Sequence, residues 1–142
     1  MDIEIKFNDS CKTGDLDKIK ELTTTCIIHR CIINIGFMDA CIAGHLHIIK
    51  YLIELYKNTC YTKINIHIYH EAGFRGACDN GHLHIAKYLI ELYKINQDYT
   101  KINIHICNKY GFACKSGYLH IIKYLFSIGH YSIGHYSDIL FL

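Results

Sequence analysis

"GHLHIIKYLIELYK" (Gly44–Lys57) and "GHLHIAKYLIELYK" (Gly81–Lys94) differ at one residue, Ile49 against Ala86. A chain that writes the same run twice within 142 residues is built from copies of a unit. Extending the match outward gives four blocks that align without gaps. They are "KFNDSCKTGDLDKIKEL" from Lys6, "GFMDACIAGHLHIIKYL" from Gly36, "GFRGACDNGHLHIAKYL" from Gly73 and "KYGFACKSGYLHIIKYL" from Lys109. Five columns do not vary. They are Cys11/Cys41/Cys78/Cys114, Gly14/Gly44/Gly81/Gly117, Leu16/Leu46/Leu83/Leu119, Lys20/Lys50/Lys87/Lys123 and Leu22/Leu52/Leu89/Leu125. A sixth, Phe7/Phe37/Phe74/Tyr110, is always aromatic.

Each block reads as helix, tight turn, helix. The Gly column ends the first helix, where a residue often needs a positive φ that only glycine adopts without strain. Asp15 suits the cap of the helix that follows, and Asp17 places negative charge in its first turn. His45 and His82, at the same position, are poorer caps. The second helix, from Leu46 to about Tyr56, is apolar at Leu46, Ile48, Ile49, Leu52, Ile53 and Leu55. That exceeds one stripe, so it must be buried on more than one side. Lys50 and Glu54 lie four apart on its polar side. Between blocks, "KINIHI" occurs at Lys63 and Lys101 and alternates Ile with polar residues, as an extended connection does. The expectation is an all-α repeat solenoid, with helix-turn-helix units stacked side by side and joined by extended loops. No unit could bury its apolar faces alone.

The Ala-Cys pairs (Ala40-Cys41, Ala77-Cys78, Ala113-Cys114), the Gly-His-Leu after them and the "IIKYL" or "IAKYL" run resemble the ankyrin-repeat family. They match its paired alanines, its Gly-His turn and its Val-Val-x-Leu-Leu helix. The resemblance covers nearly the whole chain as one domain. It divides into a degenerate first repeat (3–34), then 35–71, 72–107 and 108–142 with an irregular tail. The family's Thr-Pro-Leu-His helix start is missing; Ile35-Gly36-Phe37-Met38, Ala72-Gly73-Phe74-Arg75 and Asn108-Lys109-Tyr110-Gly111 stand there. Loss of the proline and the Thr cap implies softer first helices. The period and the helix starts look most like the degenerate arrays of large AT-rich, mimivirus-like DNA viruses. The composition agrees with an AT-biased genome: 26 Ile, two Arg, and no Val, Pro or Trp.

Composition narrows function. No apolar stretch is long and uncharged enough to span a bilayer, and the N-terminus has no signal-peptide pattern. Eight Cys in such a chain read as reduced thiols of an intracellular protein, in the cytoplasm of a host cell if the origin is viral. A net charge of +2 is too small to argue for nucleic acid, and no such partner is expected. Equivalent positions in stacked repeats lie about 10 Å apart, too far to share a zinc ion or a disulfide. The Cys column is therefore packing. The His clusters, His45-x-His47, His82-x-His84 and His67-x-x-His70, lie near loop thiols Cys60 and Cys107 but match no zinc module. His47, His84 and His120 are expected to form a solvated row that titrates near neutral pH. Nothing pairs a nucleophile with an oriented base, so neither catalysis nor a cofactor is expected.

What remains is a non-catalytic module that binds an unidentified protein. The resemblance implies a concave surface of first helices and loop tips. Its specificity would lie at positions that differ between repeats: Met38, Asp39, Arg75, Gly76 and Asp79 on first helices, and Tyr69, His70, Glu71, Cys107, Asn108 and Lys109 on loop tips. The other reading is a His-rich module that responds to metal or pH. A monomer is expected, unless the apolar tail "FSIGHYSIGHYSDILFL", from Phe126, pairs two copies rather than capping the last repeat. Two further expectations concern local geometry. Gly81→Val should be worse than Gly76→Val, because Gly81 needs a positive φ whereas a Gly inside a helix is often replaced at little cost unless the site is crowded. Tyr110 rather than Phe112 should occupy the aromatic column.

Overall fold

A computed structural model describes residues 2–57, 63–104 and 118–128. These residues form seven helices and no strand. They are α1 (Asp2–Thr13), α2 (Leu16–Thr25), α3 (Arg30–Ala43), α4 (Leu46–Tyr56), α5 (Ile68–Asp79), α6 (Leu83–Ile95) and α7 (Leu119–Ser127). Neighbours pack in order: α1 on α2, α3 on α4 and α5 on α6 within pairs, α1 on α3 and α3 on α5 between pairs. Tyr110, Phe112, Cys114, Gly117 and the tail from 129 to 142 lie outside the described residues, so the expectations placed on them do too.

The invariant columns account for the core. Phe7, Phe37 and Phe74 are each 0% exposed, as are Cys11, Cys41 and Cys78. Leu22, Leu52, Leu89 and Leu125 are buried, and Leu16, Leu46 and Leu83 are half-buried against the same core. Leu119 is the exception, half exposed on α7. The second helices are buried broadly, as their breadth of apolar residues requires: Ile48, Ile49, Leu52 and Ile53 on α4, and Ile85, Ala86, Leu89 and Leu92 on α6. Fully burying side chains of this size contributes about 1.5–3 kcal/mol each before conformational entropy is charged against it.

The turn glycines behave alike. Gly14, Gly44 and Gly81 have φ of +82°, +91° and +78°. The backbone N–H groups of Gly44 and His45 both donate to the Ala40 carbonyl, closing α3. Asp15 caps α2 by accepting from the Lys18 N–H at 3.0 Å, whereas His45 and His82 make no such cap bond.

Two helix starts are irregular. α3 begins at Arg30, where the His29 Nδ1 accepts from the Cys31 N–H, so Ile35–Met38 lie well inside it. α5 opens with three residues in the left-handed region, Tyr69, His70 and Glu71, at φ of +50°, +53° and +62°, and is right-handed from Ala72. Bulky residues rarely adopt this conformation. The Arg75 guanidinium secures it by donating to the carbonyls of His70 and Tyr69, both at 2.9 Å. The "KINIHI" connection alternates as expected. Ile64 and Ile66 are buried with Asn65 exposed between them, and Ile102 is buried beside an exposed Asn103.

Gly76 is a crowded site. A Cβ there would meet Ile42 Cγ1 at 2.3 Å, because α5 approaches α3 closely at this point. Gly76→Val should therefore destabilise the chain, as Gly81→Val should. The two differ in what relieves them. Ile42→Ala opens room at Gly76 and should restore much of the loss. No neighbouring truncation removes the left-handed backbone cost at Gly81, on the order of 1–2 kcal/mol. Denaturant unfolding of the single and double variants measures both.

Candidate interaction surface and the seams that build it

The helical pairs are joined by a repeated polar contact that the sequence does not show directly. His45 Nε2 bonds the Lys12 carbonyl at 2.9 Å, and His82 Nε2 bonds the Ile42 carbonyl at 3.0 Å. Two residues along each second helix, His47, His84 and His120 bond the carbonyls of Gly14, Gly44 and Gly81 at 3.2, 3.4 and 3.2 Å. Every bond runs from the start of a second helix to the turn of the preceding pair. The row His47/His84/His120 is exposed, as expected, but it is not merely solvated: each ring bonds a turn carbonyl of the preceding pair, and the carbonyls of Gly14 and Gly81 also accept the N–H groups of Leu16 and Leu83.

The same contact explains the glycines a second time. A Cβ on Gly14 would lie 2.8 Å from the His45 ring, and one on Gly44 would lie 2.6 Å from the His82 ring. Tyr118 takes the ring's place over Gly81, at 2.7 Å. Positive φ and a ring lying against the backbone therefore both demand Gly.

The Lys column is also spent between pairs. Lys20 lies over the Tyr51 ring, Lys50 over Tyr88 and Lys87 over Tyr124, at 5.8, 5.6 and 5.1 Å to the ring centre. Thr23 and Tyr51 hydroxyls meet at 3.1 Å beside the first of these. The Glu residues of this face pair locally instead, Glu54 with Lys57 at 2.5 Å and Glu91 with Lys94 at 2.8 Å. The expected Lys50–Glu54 neighbour relation is thus replaced by a cation over an aromatic ring, favourable by about 0.5–1 kcal/mol at exposed sites.

The loop connections are stapled too. Asn34, 6% exposed, accepts the Asn65 N–H through Oδ1 at 2.9 Å. Glu71, one repeat on, accepts the Asn103 N–H through Oε1 at 3.3 Å and takes His67 Nδ1 at 2.8 Å. The other His67 nitrogen, Nε2, meets the Thr100 hydroxyl at 2.8 Å. Glu71 is only 7% exposed. That turns it inward and removes it from the set expected to face a partner. Asn34 and Thr100 were not singled out from the sequence, and His67 was, but as part of a His cluster rather than as the partner of Glu71. The signal available was positional: Asn34 precedes Gly36 by the same two residues that separate Glu71 from Gly73, but the change of residue type hides the shared column.

The remaining expected contact residues divide as follows. Tyr69 is 61% exposed and His70 is exposed, both on the left-handed turn. Met38 and Asp39 are half-buried on α3. Asp39 lies 3.9 Å from Lys12. Burial raises its carboxyl above the usual range, Lys12 pulls the other way and Asp9 adds to the rise. Arg75, Gly76 and Asp79, with Ala72, line a shallow cleft of about 170 Å³ on α5. Cys107, Asn108 and Lys109 lie outside the described residues.

Two thiols of the Cys column are held in their protonated form by burial. Burial, with Asp39 adding to it, pushes Cys11 up to about 12, and burial alone raises Cys41 further. Among the described residues, no three His, Cys, Asp or Glu side chains come together in a way that could hold a metal ion. No described helix is long and apolar enough to cross a membrane. Searches of family models, curated proteins and solved structures find no match to this chain.

Two stability changes follow from these contacts. Glu71→Ala removes the acceptor that faces the Asn103 N–H and His67 Nδ1, and should cost about 1–3 kcal/mol. Glu71→Gln, which keeps an acceptor, should lose less; equal losses in urea melts would remove the staple. For the Lys–Tyr contact, Lys50→Ala should destabilise a wild-type background but not a Tyr88→Leu background, as a double-mutant cycle by the same method would show.

Proposed function

We propose that this chain is a non-catalytic protein-interaction module, a short array of ankyrin type that binds a partner protein through its first helices and loop tips. The observation that carries the reading is a division of labour among residues. Among the described residues, the positions shared between repeats are consumed by the core, by the turns or by contacts between pairs, Leu119 apart. Positions that change between repeats include Met38 and Asp39 on α3 and Arg75, Gly76 and Asp79 on α5, and the last three line a cleft. A partner is not periodic, so the residues that recognise it need not be. Tyr69 and His70 extend this surface at the loop tip.

The proposal extends to a viral adaptor that acts on a host protein in the cytoplasm. Support for that part is the resemblance to arrays of AT-rich DNA viruses and the AT-biased composition. The His-rich metal reading has less behind it, since the imidazoles of the seams already bond turn carbonyls through Nε2.

The test is affinity capture from candidate host cells with the wild-type chain and with Met38→Glu and Tyr69→Ala. A directly binding protein, confirmed with purified components, should be lost with either variant while melting is unchanged. Binding that survives both variants would move the interaction off this surface. Turnover of any substrate abolished by a single His or Cys substitution would overturn the non-catalytic reading.

A further inference from the structure

A cleft of about 260 Å³ lies where residues 63–67 of one connection meet residues 98–100 of the next, and Arg30, the first residue of α3, completes its wall. Its polar lining holds donors that the chain does not use. Arg30 is exposed and makes no ion pair or side-chain hydrogen bond with another described residue. Outside the described residues the only acid in the sequence is Asp138. Asn65 has its amide oriented from within: Oδ1 accepts the His67 N–H at 3.0 Å, and the two donors of Nδ2 meet no acceptor among the described residues. The Lys63 ammonium donates to the Asp98 carbonyl and lies 5.0 Å from the centre of the Tyr99 ring, which leaves it with spare N–H groups.

The groups of opposite character are fewer. Asp98 lines the cleft with its carboxylate but forms no ion pair with Arg30 or Lys63. Glu71 is 7% exposed and is taken up by His67 and by the Asn103 N–H. His67 spends both ring nitrogens, on Glu71 and on the Thr100 hydroxyl, and offers the cleft nothing further. Two cations and a free amide group therefore face one carboxylate.

We propose that this cleft receives a carboxylate side chain of the partner, so that the partner presents an acidic segment to the loop-tip end of the array. The inference rests on the reading of the chain as a protein-binding module and names the chemistry of what it binds. A guanidinium fork meets the two oxygens of a carboxylate through parallel N–H bonds, and Arg30 has its fork unspent. Ion pairs on open surface contribute little, because both long side chains must be ordered. Here that cost is reduced. The Asp98 carbonyl already holds Lys63, and the His67 N–H already holds the Asn65 amide, so on this side Arg30 alone has to be ordered. A neutral acceptor would satisfy the donors but leave the excess positive charge uncompensated.

The experiment is an NMR titration of the isotope-labelled wild-type chain with end-blocked penta-glutamate, with penta-lysine and sodium acetate titrated separately, at low and at physiological salt. The Asn65 side-chain amide, the Arg30 Nε–H and the Thr100 N–H should shift together to saturation with penta-glutamate, more weakly as salt is raised, and should stay still with penta-lysine. Arg30→Gln should weaken the binding by about three- to tenfold. Lys123→Gln removes the same charge from the exposed face of α7 and should change it by less than about twofold. Absence of saturable shifts at these sites, equal losses in the two variants, or saturation by acetate at an equal concentration of carboxylate groups would each overturn the proposal, the last because no protein segment would then be needed. Failure here is distinct from failure of the module reading: a captured partner lost with Met38→Glu but held by Arg30→Gln would remove the cleft and leave the module. The titration uses the wild-type chain, so it decides the matter even if a variant fails to fold.

Discussion

An aromatic ring lying where a glycine has no side chain is the contact on which the stacking depends. At Gly14 and Gly44 the backbone is left-handed, the next pair's imidazole covers the missing Cβ, and its Nε2 bonds a nearby carbonyl at the end of the first helix. A helix end leaves its last carbonyls without partners. In a lone helical pair water would take them. Here a side chain of the following pair does, and it can approach only because the turn has no side chain of its own. Turn conformation, helix termination and docking are therefore one constraint seen from three sides. Five such imidazole bonds, each worth on the order of 1 kcal/mol net, are a sizeable share of the stability of a small domain.

This constraint also explains what each repeat does with the residue after its glycine. Asp15 uses its side chain to cap its own helix, accepting from the Lys18 N–H. His45 and His82 leave their own helices uncapped and bond the preceding turn instead. One position can serve the helix it begins or the neighbour behind it, but not both. A carboxylate could not replace the imidazole at a seam in any case, because two acceptors would face each other.

Much of the architecture was legible because burial is periodic in the chain. Phe37 and Phe74, Cys41 and Cys78, and Leu52 and Leu89 recur where every unit needs an identical apolar contact, so a single alignment exposes them. What stayed hidden was reciprocal. Lys50 is invariant because of Tyr88 in the next pair, not Glu54 on its own helix, and no reading of one helix can show that. Asn34 and Glu71 do the same work with different side chains, since a backbone N–H accepts any well-placed oxygen. Glu71 looked like a contact residue because it varies; it varies because the staple needs only an acceptor. Gly76 looked permissive because helix propensity is local, while the closeness of Ile42 is a property of the packed pair.

These distinctions sharpen what variation between repeats can mean. A position can differ because a partner reads it, or because two residue types meet the same internal demand. Glu71 belongs to the second kind and Gly76 largely so, since its smallness admits Ile42. Tyr69 and His70 are different. Their side chains are exposed, while their strained backbone is held by Arg75, which bonds both of their carbonyls. Strain of this kind persists only where surrounding contacts over-determine it. The loop tip is thus presented in one conformation by a framework of Arg75, Glu71 and His67. The residues of the expected contact set separate into those that hold the shape and those that can be read on it: Arg75 and Glu71 on one side, Tyr69, His70 and Met38 on the other.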